Sequence, residues 1–263
     1  SFTMSILDEY VNVAPSRQTA VDMFAGEWSS KFPEGCGAIA TPGLAPLFDD
    51  PRLEMGNRMY GGFNNRSILE LGPLEGGHTY MLQQFGAKEI DSVEANSRAF
   101  MKCLITKEIF DLNRANFMLG NFMQYLSTSQ KEYDWVVASG VLYHMREPLK
   151  LLRLISEHSR RIFLWTHYYD KEIIDESEAM RDKFGETKTV ERQGKSFELI
   201  KYHYQGALQW QGFCGGPAAD ATWLTRDSLL RFIRLMGFKQ MEILEETPLH
   251  QNGPAILLCA QKP

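Results

Sequence analysis

Long apolar runs, paired cysteines and basic clusters are all missing from this sequence. No stretch approaches the roughly 20 consecutive apolar residues that a membrane-spanning helix requires, so we expect no membrane insertion. The four cysteines contain no CxxC pair, which argues against a disulfide scaffold and against a zinc site. Scattered cysteines are typical of a reducing compartment. We therefore expect a cytoplasmic protein without a bound metal.

The charge balance is slightly acidic rather than basic. The net charge is −5 over 263 residues, and no run of Lys or Arg stands out beyond Arg160 and Arg161. Proteins that bind nucleic acids usually concentrate basic side chains on one face, because phosphate contacts dominate their affinity. A nucleic-acid partner is therefore disfavoured. The length, together with 44% hydrophobic residues, suffices for one large domain with a substantial core.

From residue 66 onward, short apolar runs alternate with segments of helical character. This alternation predicts βαβ units, and the right-handed crossover rule then gives a doubly wound, mostly parallel sheet of the α/β class. A helix that begins after Thr225 and two final strands complete the pattern. The predicted strands occupy residues 67–72, 89–95, 115–121, 133–139, 160–167, 239–246 and 255–261, and the helices between them lie near 77–85, 97–110, 122–128 and 147–157.

The segments outside this alternation are predicted to cover the sheet. Residues 1–60 lack strand signals and contain two candidate helices, so we interpret them as an N-terminal helical cap. The main domain then extends over residues 61–263. Within it, residues 168–222 are polar, aromatic and locally rich in glycine, which favours an insertion that acts as a substrate lid. An insertion with a small core of its own explains the same residues equally well.

A glycine-rich turn follows the first predicted strand. It reads Glu-Leu-Gly-Pro-Leu-Glu-Gly over residues 70–76 and leads into a helix. Sheets of this class bind nucleotides at such turns, because glycines allow close backbone approach and the helix N-terminus faces the ligand. Glu94 ends the second strand, where an acid can accept both hydroxyls of a ribose. Gly120, Asn121 and Phe122 end the third strand, where an amide can read an adenine edge.

Together with the segment "YDWVVASGVLYH" at 133–144, these motifs resemble class I S-adenosylmethionine-dependent methyltransferases. The resemblance covers about residues 66–167, and the final helix and strands at 225–260 match the closure of the family's sheet. It implies a seven-stranded Rossmann-like sheet of order 3-2-1-4-5-7-6 whose last strand is antiparallel. It also implies S-adenosylmethionine as cofactor and S-adenosylhomocysteine (SAH) as product. The residues at the cofactor positions are Glu70, Gly72, Leu74, Gly76, Glu94, Ala95, Asn96, Gly120, Asn121, Phe122 and Ser139.

One position departs from the family pattern. Leu74 stands where the middle glycine of (D/E)-x-G-x-G-x-G is expected, whereas Glu70, Gly72 and Gly76 match. We expect a modified loop rather than a lost site. In the family, the acid at the position of Glu70 works through the ammonium end of the cofactor, directly or through water.

Candidate acceptor-side residues follow the fourth and fifth strands. Tyr143 and His144 lie after the fourth strand and His167 ends the fifth, at the edge of the sheet where ligand-contacting residues gather. The ordinary pKa of histidine suits it to take a proton from a hydroxyl during methyl transfer. Each histidine is interpreted either as that base or as a structural contact. The aromatic candidates for acceptor binding are Tyr168, Tyr204, Trp210 and Trp223.

These features predict transfer of a methyl group to a hydroxyl or carboxylate oxygen of a small-molecule or peptide acceptor, by a monomer or homodimer. Three rivals stay open. An NAD-dependent dehydrogenase would need G-x-G-x-x-G, and residues 72–77 lack the second glycine at that spacing. Residues 140–149 also resemble the enzyme that carboxymethylates wobble uridine of tRNA, against which the net charge argues. Leu74 keeps open a non-catalytic module that binds the cofactor or SAH.

Overall fold

The computed structural model describes residues 5–33, 43–209 and 215–263. Trp210, a predicted acceptor-binding residue, lies outside these ranges. Within them the strands form one large and one small sheet. The strands are β1 (Ser67–Leu71), β2 (Glu89–Glu94), β3 (Ala115–Leu119), β4 (Tyr133–Ser139), β5 (Ser159–His167), β6 (Phe184–Arg192), β7 (Lys195–His203), β8 (Asp220–Leu224), β9 (Gln240–Thr247) and β10 (Ala255–Gln261).

Helices of very different length connect these strands. No helix in the described ranges is long and apolar enough to cross a membrane. Short 3₁₀ helices cover Ile6–Glu9, Leu142–His144 and Gln205–Gln209. The α-helices are α1 (Arg17–Asp22), α2 (Pro51–Asn57), α3 (Gly77–Gln84), α4 (Ser97–Phe110), α5 (Phe122–Thr128), α6 (Pro148–His158), α7 (Lys171–Asp175), α8 (Glu178–Arg181) and α9 (Arg226–Leu235).

The large sheet has the order β3-β2-β1-β4-β5-β10-β9. β10 is antiparallel to both of its neighbours, and the other pairs in this sheet are parallel. Since β9 and β10 are the sixth and seventh strands of this sheet, the predicted order 3-2-1-4-5-7-6 and the antiparallel last strand are confirmed. β9 is antiparallel to β10 and therefore ends at the same edge as β1, β4 and β5.

Apolar layers cover both faces of this sheet. Alternation along β4 sends Val136 and Ala138 to one face and Trp135 and Val137 to the other. The first face packs against α6 and α9, and the second packs against α2 and α3. Full burial of one such side chain contributes about 1.5–3 kcal/mol, so these layers fix the sheet between its helices. The site-bearing loops at the carboxyl edge are thereby anchored to a rigid scaffold.

The N-terminal segment packs onto the outside of α4. Its aromatic residues Phe24, Trp28, Phe32 and Phe48 form a buried cluster with Ile109. Trp28 also donates from Nε1 to the carbonyl of Val21 at 2.9 Å. This cluster brings residues 26–29 close to the carboxyl edge of the sheet. The division of the chain at residue 60 stays a prediction.

Residues 168–222 contain a small antiparallel sheet of order β6-β7-β8 that was not predicted. β6 is exposed over most of its length, so its sequence lacks the apolar alternation by which a strand is recognised. The turn between β6 and β7 has positive φ at Gln193 (52°) and Gly194 (74°), as two-residue hairpin turns require. β8 extends this sheet to Leu224, beyond the predicted end of the insertion.

Candidate functional site

A cavity of about 1310 Å³ opens at the carboxyl edge of the large sheet. Its walls come from residues 26–29, from the loops after β1 to β4, from Trp165 and His167 of β5, from residues 216–218 of the insertion and from the loop after β9. Ligands of open α/β sheets bind at this edge. The predicted catalytic and cofactor residues that line the cavity are Glu70, Gly72, Leu74, Glu94, Ala95, Asn96, Asn121, Phe122, Ser139, Tyr143, His144 and His167.

The loop after β1 adopts a left-handed backbone at three alternate residues. The φ angle is 67° at Gly72, 58° at Leu74 and 85° at Gly76. Leu74 therefore takes the conformation that glycine adopts freely, which costs about 1–2 kcal/mol for a residue with a side chain. A Cβ atom at Gly72 would lie 2.9 Å from Val141 Cγ1, so this position requires glycine. Gly76 lies outside the cavity lining and precedes α3 as its N-cap.

Glu94 at the end of β2 braces this loop. Its Oε1 accepts from Leu74 N and its Oε2 accepts from Asn96 N, each at 3.0 Å. Burial raises the pKa of Glu94, and the backbone amides of Asn96, Leu74 and Ala95 oppose this shift. Each oxygen can accept a further hydrogen bond, because a carboxylate oxygen has two lone pairs. Asn96 also caps α4, since its Oδ1 accepts from Ala99 N at 3.0 Å.

Glu70 is buried at the end of β1. The hydroxyls of Ser92 (2.8 Å) and Thr79 both donate to its Oε1. Burial raises the pKa of Glu70, while Thr79, the nearby His78 and Ser92 oppose that shift. His78 in turn bonds through Nε2 to Asp50 Oδ2 at 2.8 Å. The Glu70 carboxylate is thus held at the floor of the cavity with its Oε1 occupied.

Asn121 acts as a helix cap at the end of β3. Its Oδ1 accepts from Met123 N at 2.8 Å and from Gln124 N at 3.3 Å, so α5 begins there. The same residue lines the cavity beside Phe122, and its role toward adenine stays a prediction. Gly120 does not contribute to the cavity lining.

Glu75 was not singled out from the sequence, yet it ties the N-terminal segment to the glycine-rich loop. It is buried, and it accepts from Ser29 N (2.9 Å), from Ser30 N (2.8 Å) and from Ser30 Oγ (2.6 Å). Lys102 of α4 pairs with it at 3.5 Å and donates to the carbonyl of Glu27 at 2.7 Å. A single sequence offers no signal for such a long-range tether.

His144 contacts the insertion through a short chain of hydrogen bonds. The Tyr204 hydroxyl donates to the carbonyl of Gly215 at 3.1 Å and lies 2.8 Å from His144 Nδ1. Since that hydroxyl hydrogen is used, the His144 Nδ1–H is the donor and Nε2 carries the lone pair. Burial, aided by the nearby His167, lowers the pKa of His144 to about 4. His144 is therefore neutral at pH 7.

His167 is the centre of an aromatic cluster at the end of β5. Its Nδ1–H donates to the carbonyl of Gly253 at 2.8 Å, so its Nε2 carries the lone pair. Trp223 stacks on the ring with centroids 5.3 Å apart and an interplanar angle of 6°, and Tyr143 packs edge-on at 4.5 Å. Burial lowers the pKa of His167 to about 4, with a smaller effect from His250. A neutral, oriented imidazole of this kind can accept a proton.

Tyr168, Tyr204 and Trp223, which were predicted to bind the acceptor, do not line the cavity. The Tyr168 hydroxyl donates to Glu246 Oε2 at 2.7 Å, which ties β5 to β9. Tyr204 and Trp223 support the two histidines from behind rather than lining the cavity. Within the described ranges, no group of three or more His, Cys, Asp or Glu side chains is placed to hold a metal ion.

Several cavity-lining residues were missed by sequence reasoning. His250 and Asn252 lie in the loop after β9. Arg52 lies in the first turn of α2 and stacks on Trp165, with its guanidinium carbon 4.7 Å from the ring centroid. The loop after β9 could have been found, because residues after a parallel strand lie at the ligand-binding edge. Arg52 could not have been found in this way, because it lies in α2 and does not follow a strand of the sheet.

No family model and no curated protein sequence matches this chain. Solved structures do match it in three dimensions. The N-terminal domain of EvdMO1, crystallised in the presence of SAH and D-fucose, is 23% identical with a TM-score of 0.66, and the match covers 94% of this chain and 95% of that one. This chain spans 46% of the full EvdMO1 chain.

Two further structures share the fold at lower identity. A structure described as a putative S-adenosylmethionine-dependent methyltransferase from Listeria monocytogenes has a TM-score of 0.53 and 11% identity, with 81% of this chain and 98% of that chain covered. Magnesium protoporphyrin IX methyltransferase from Synechocystis PCC 6803, with bound SAH, has a TM-score of 0.50 and 15% identity, with 77% of each chain covered.

Proposed function

We propose that this chain, which has the class I methyltransferase fold, transfers a methyl group from S-adenosylmethionine to a hydroxyl oxygen of a small-molecule acceptor. The observation that carries the proposal is one cavity that joins two strand-end carboxylates to two neutral histidines. Glu70 and Glu94 lie at the β1–β2 end of this cavity, and His144 and His167 lie at the β4–β5 end.

The residues at the β1–β2 end fit an adenosyl cofactor. Glu94 would accept the ribose hydroxyls, because backbone amides already orient both of its oxygens. Glu70 would act on the ammonium group, and residues 121–122 would flank the adenine. When bound, S-adenosylmethionine supplies a methyl group already activated by a positively charged sulfur. The protein then has to align the acceptor and exclude water.

The residues at the β4–β5 end fit the acceptor. His167 Nε2 would take the hydroxyl proton as the bond between the acceptor oxygen and the methyl carbon forms. Its pKa of about 4 keeps it unprotonated at pH 7, and the carbonyl of Gly253 holds the ring by Nδ1. His144 is a second neutral imidazole beside Tyr143, with ring centroids 4.2 Å apart.

A sugar-like acceptor is supported by the similarity to the EvdMO1 N-terminal domain, which was crystallised in the presence of D-fucose. Transfer to a hydroxyl needs a base, and the two histidines provide candidates. A carboxylate, the other oxygen acceptor expected from the sequence, needs none. A peptide that bears a hydroxyl fits the same chemistry. We therefore place hydroxyl methylation ahead of carboxylate methylation.

The proposal is tested by a methyl-transfer assay with isotopically labelled S-adenosylmethionine and a panel of acceptors. The panel contains monosaccharides including D-fucose, phenols, carboxylates, hydroxylated peptides and bulk tRNA. We expect a methyl ether as product, detected by mass spectrometry. Labelled tRNA would favour the RNA-modifying rival instead. Tight SAH binding without turnover on any acceptor would favour a non-catalytic binding module.

A further inference from the structure

The loop after β9 holds a further histidine, His250, next to the proposed base His167. His250 and His167 pack with ring centroids 5.1 Å apart at 68°, and both line the cavity. Trp165 packs against both rings, at 5.9 Å from His250 and 5.0 Å from His167. The two imidazoles therefore lie together in the wall of the cavity at its acceptor end.

The backbone of this loop gives the two histidines opposite hydrogen-bonding roles. Asn252 N–H donates to His250 Nδ1 at 3.0 Å, which requires a lone pair on Nδ1 and leaves a proton on Nε2. His167 has the reverse arrangement, because its Nδ1–H donates to the carbonyl of Gly253. One loop thus presents an N–H donor on His250 and orients an acceptor nitrogen on His167.

Gly253 is the position that allows this arrangement. Its φ is 118°, and a Cβ atom there would lie 2.8 Å from the Trp223 ring. Because Trp223 also stacks on His167, the loop carbonyl, the indole and the imidazole fit only with glycine at this position. Gly253 therefore allows the loop to approach the His167 ring closely enough to accept its hydrogen bond.

Arg52 places a polar side chain in the cavity wall, and its positive charge is balanced by Asp50. Its Nε and one terminal nitrogen bond to both oxygens of Asp50, the shortest contact being 2.7 Å. The guanidinium lines the cavity and is stacked on Trp165, whose ring also packs against His250 of the loop after β9. A charge-balanced arginine favours hydroxyl groups over a carboxylate as partners, because the Asp50 carboxylate already neutralises it.

We propose that His250 is a positioning residue for the acceptor, and that the acceptor is a neutral polyol. His250 Nε2–H donates to the reacting hydroxyl oxygen, and that hydroxyl donates its proton to His167 Nε2. A neighbouring hydroxyl of the same acceptor bonds to Arg52. As the oxygen–methyl bond forms and the sulfur–methyl bond breaks, the electron pair of the broken bond stays on sulfur and the hydroxyl proton moves to His167.

This inference rests on the proposed function, so its test separates the two. SAH is first titrated into each protein by calorimetry, since failure of wild-type protein to bind SAH rejects the proposed function itself. Binding of D-fucose, other neutral monosaccharides, cyclohexane-1,2-diol, phenol and benzoate to SAH-saturated protein is then measured by saturation-transfer NMR. Turnover with the bound acceptors gives KM and kcat.

The variants are His250→Leu, which removes the donor, and His250→Gln, which keeps a side-chain N–H. His203→Leu, an exposed histidine at the end of β7, is the matched control. We expect His250→Leu to raise the acceptor KM about tenfold, the effect of one hydrogen bond, with the SAH affinity changed less than twofold. His250→Gln recovers most of that loss, and His203→Leu changes nothing.

Two results would overturn the inference. One is an unchanged acceptor KM in His250→Leu. The other is a wild-type protein that binds SAH but binds none of the neutral polyols, or binds only phenol or benzoate.

Discussion

The two ends of the cavity are built in different ways. At the β1–β2 end, Leu74 N and Glu94 Oε1 join residues 20 positions apart, within one strand–helix–strand unit. At the acceptor end, His167 Nδ1 bonds to the carbonyl of Gly253 across 86 positions. The residues of a cofactor site made of neighbouring loops can therefore be predicted from a short sequence motif. The residues of an acceptor site made of loops far apart in the sequence are identified only from the three-dimensional structure.

The largest expected effect concerns the proposed base at the acceptor end. His167→Asn should lower kcat about 10²- to 10⁴-fold, the usual contribution of general base catalysis, and leave SAH affinity unchanged. Steady-state kinetics and calorimetry check the two parts separately. His203→Asn serves as the control at an exposed histidine. A loss of less than threefold would show that His167 only packs within the aromatic cluster.

The pH dependence of kcat/KM should differ from that of SAH affinity, because the two quantities report on different ends of the cavity. Burial lowers the pKa of His144 and of His167 to about 4, so the base is unprotonated above that pH. We expect kcat/KM to stay flat from pH 8 down to about 6 and to fall as the pH approaches 4, while SAH affinity changes less. An apparent pKa near 6.5 in the rate profile would contradict a buried, neutral base.

The same shifts affect stability with a defined sign. In the unfolded chain both histidines regain a pKa of about 6.5 and bind protons that the folded chain excludes. The free energy of unfolding therefore decreases as the pH falls from about 6.5 to about 4. Urea denaturation followed by circular dichroism at each pH measures this decrease. The same measurement shows the pH range in which the protein is folded, and the rate profile is interpreted only within that range.

Much of the fold was predictable because its signals are local. The five parallel strands β1–β5 and the last strand, β10, contain short apolar runs bounded by turns. The hairpin of β6 and β7 was missed because β6 is exposed over most of its length and lacks apolar alternation, and because its Gln193–Gly194 turn was not recognised. His250 was missed because it follows β9, whereas the predicted cofactor and catalytic residues lie at the ends of β1 through β5.

The smallest expected effect concerns the residue that departs from the family pattern. Leu74 contributes its backbone N–H to Glu94, so Leu74→Gly should keep SAH affinity within about threefold while relieving the left-handed strain. Leu74→Pro has no N–H and cannot adopt a φ of 58°, so it should weaken SAH binding more than Leu74→Gly does. Equal affinities for the two variants would show that the brace to Glu94 is dispensable.

We propose that Glu94 and the loop after β1 form an adenosyl cofactor site. Calorimetric titration of SAH, sinefungin and NAD into wild-type and Glu94→Ala protein tests it most directly. We expect both adenosyl ligands to bind wild-type protein, NAD to fail, and the substitution to weaken binding by about 1–3 kcal/mol, the cost of losing charge-assisted hydrogen bonds. Binding of NAD alone, or equal SAH affinity in the two proteins, would contradict the assignment of Glu94 to an adenosyl site.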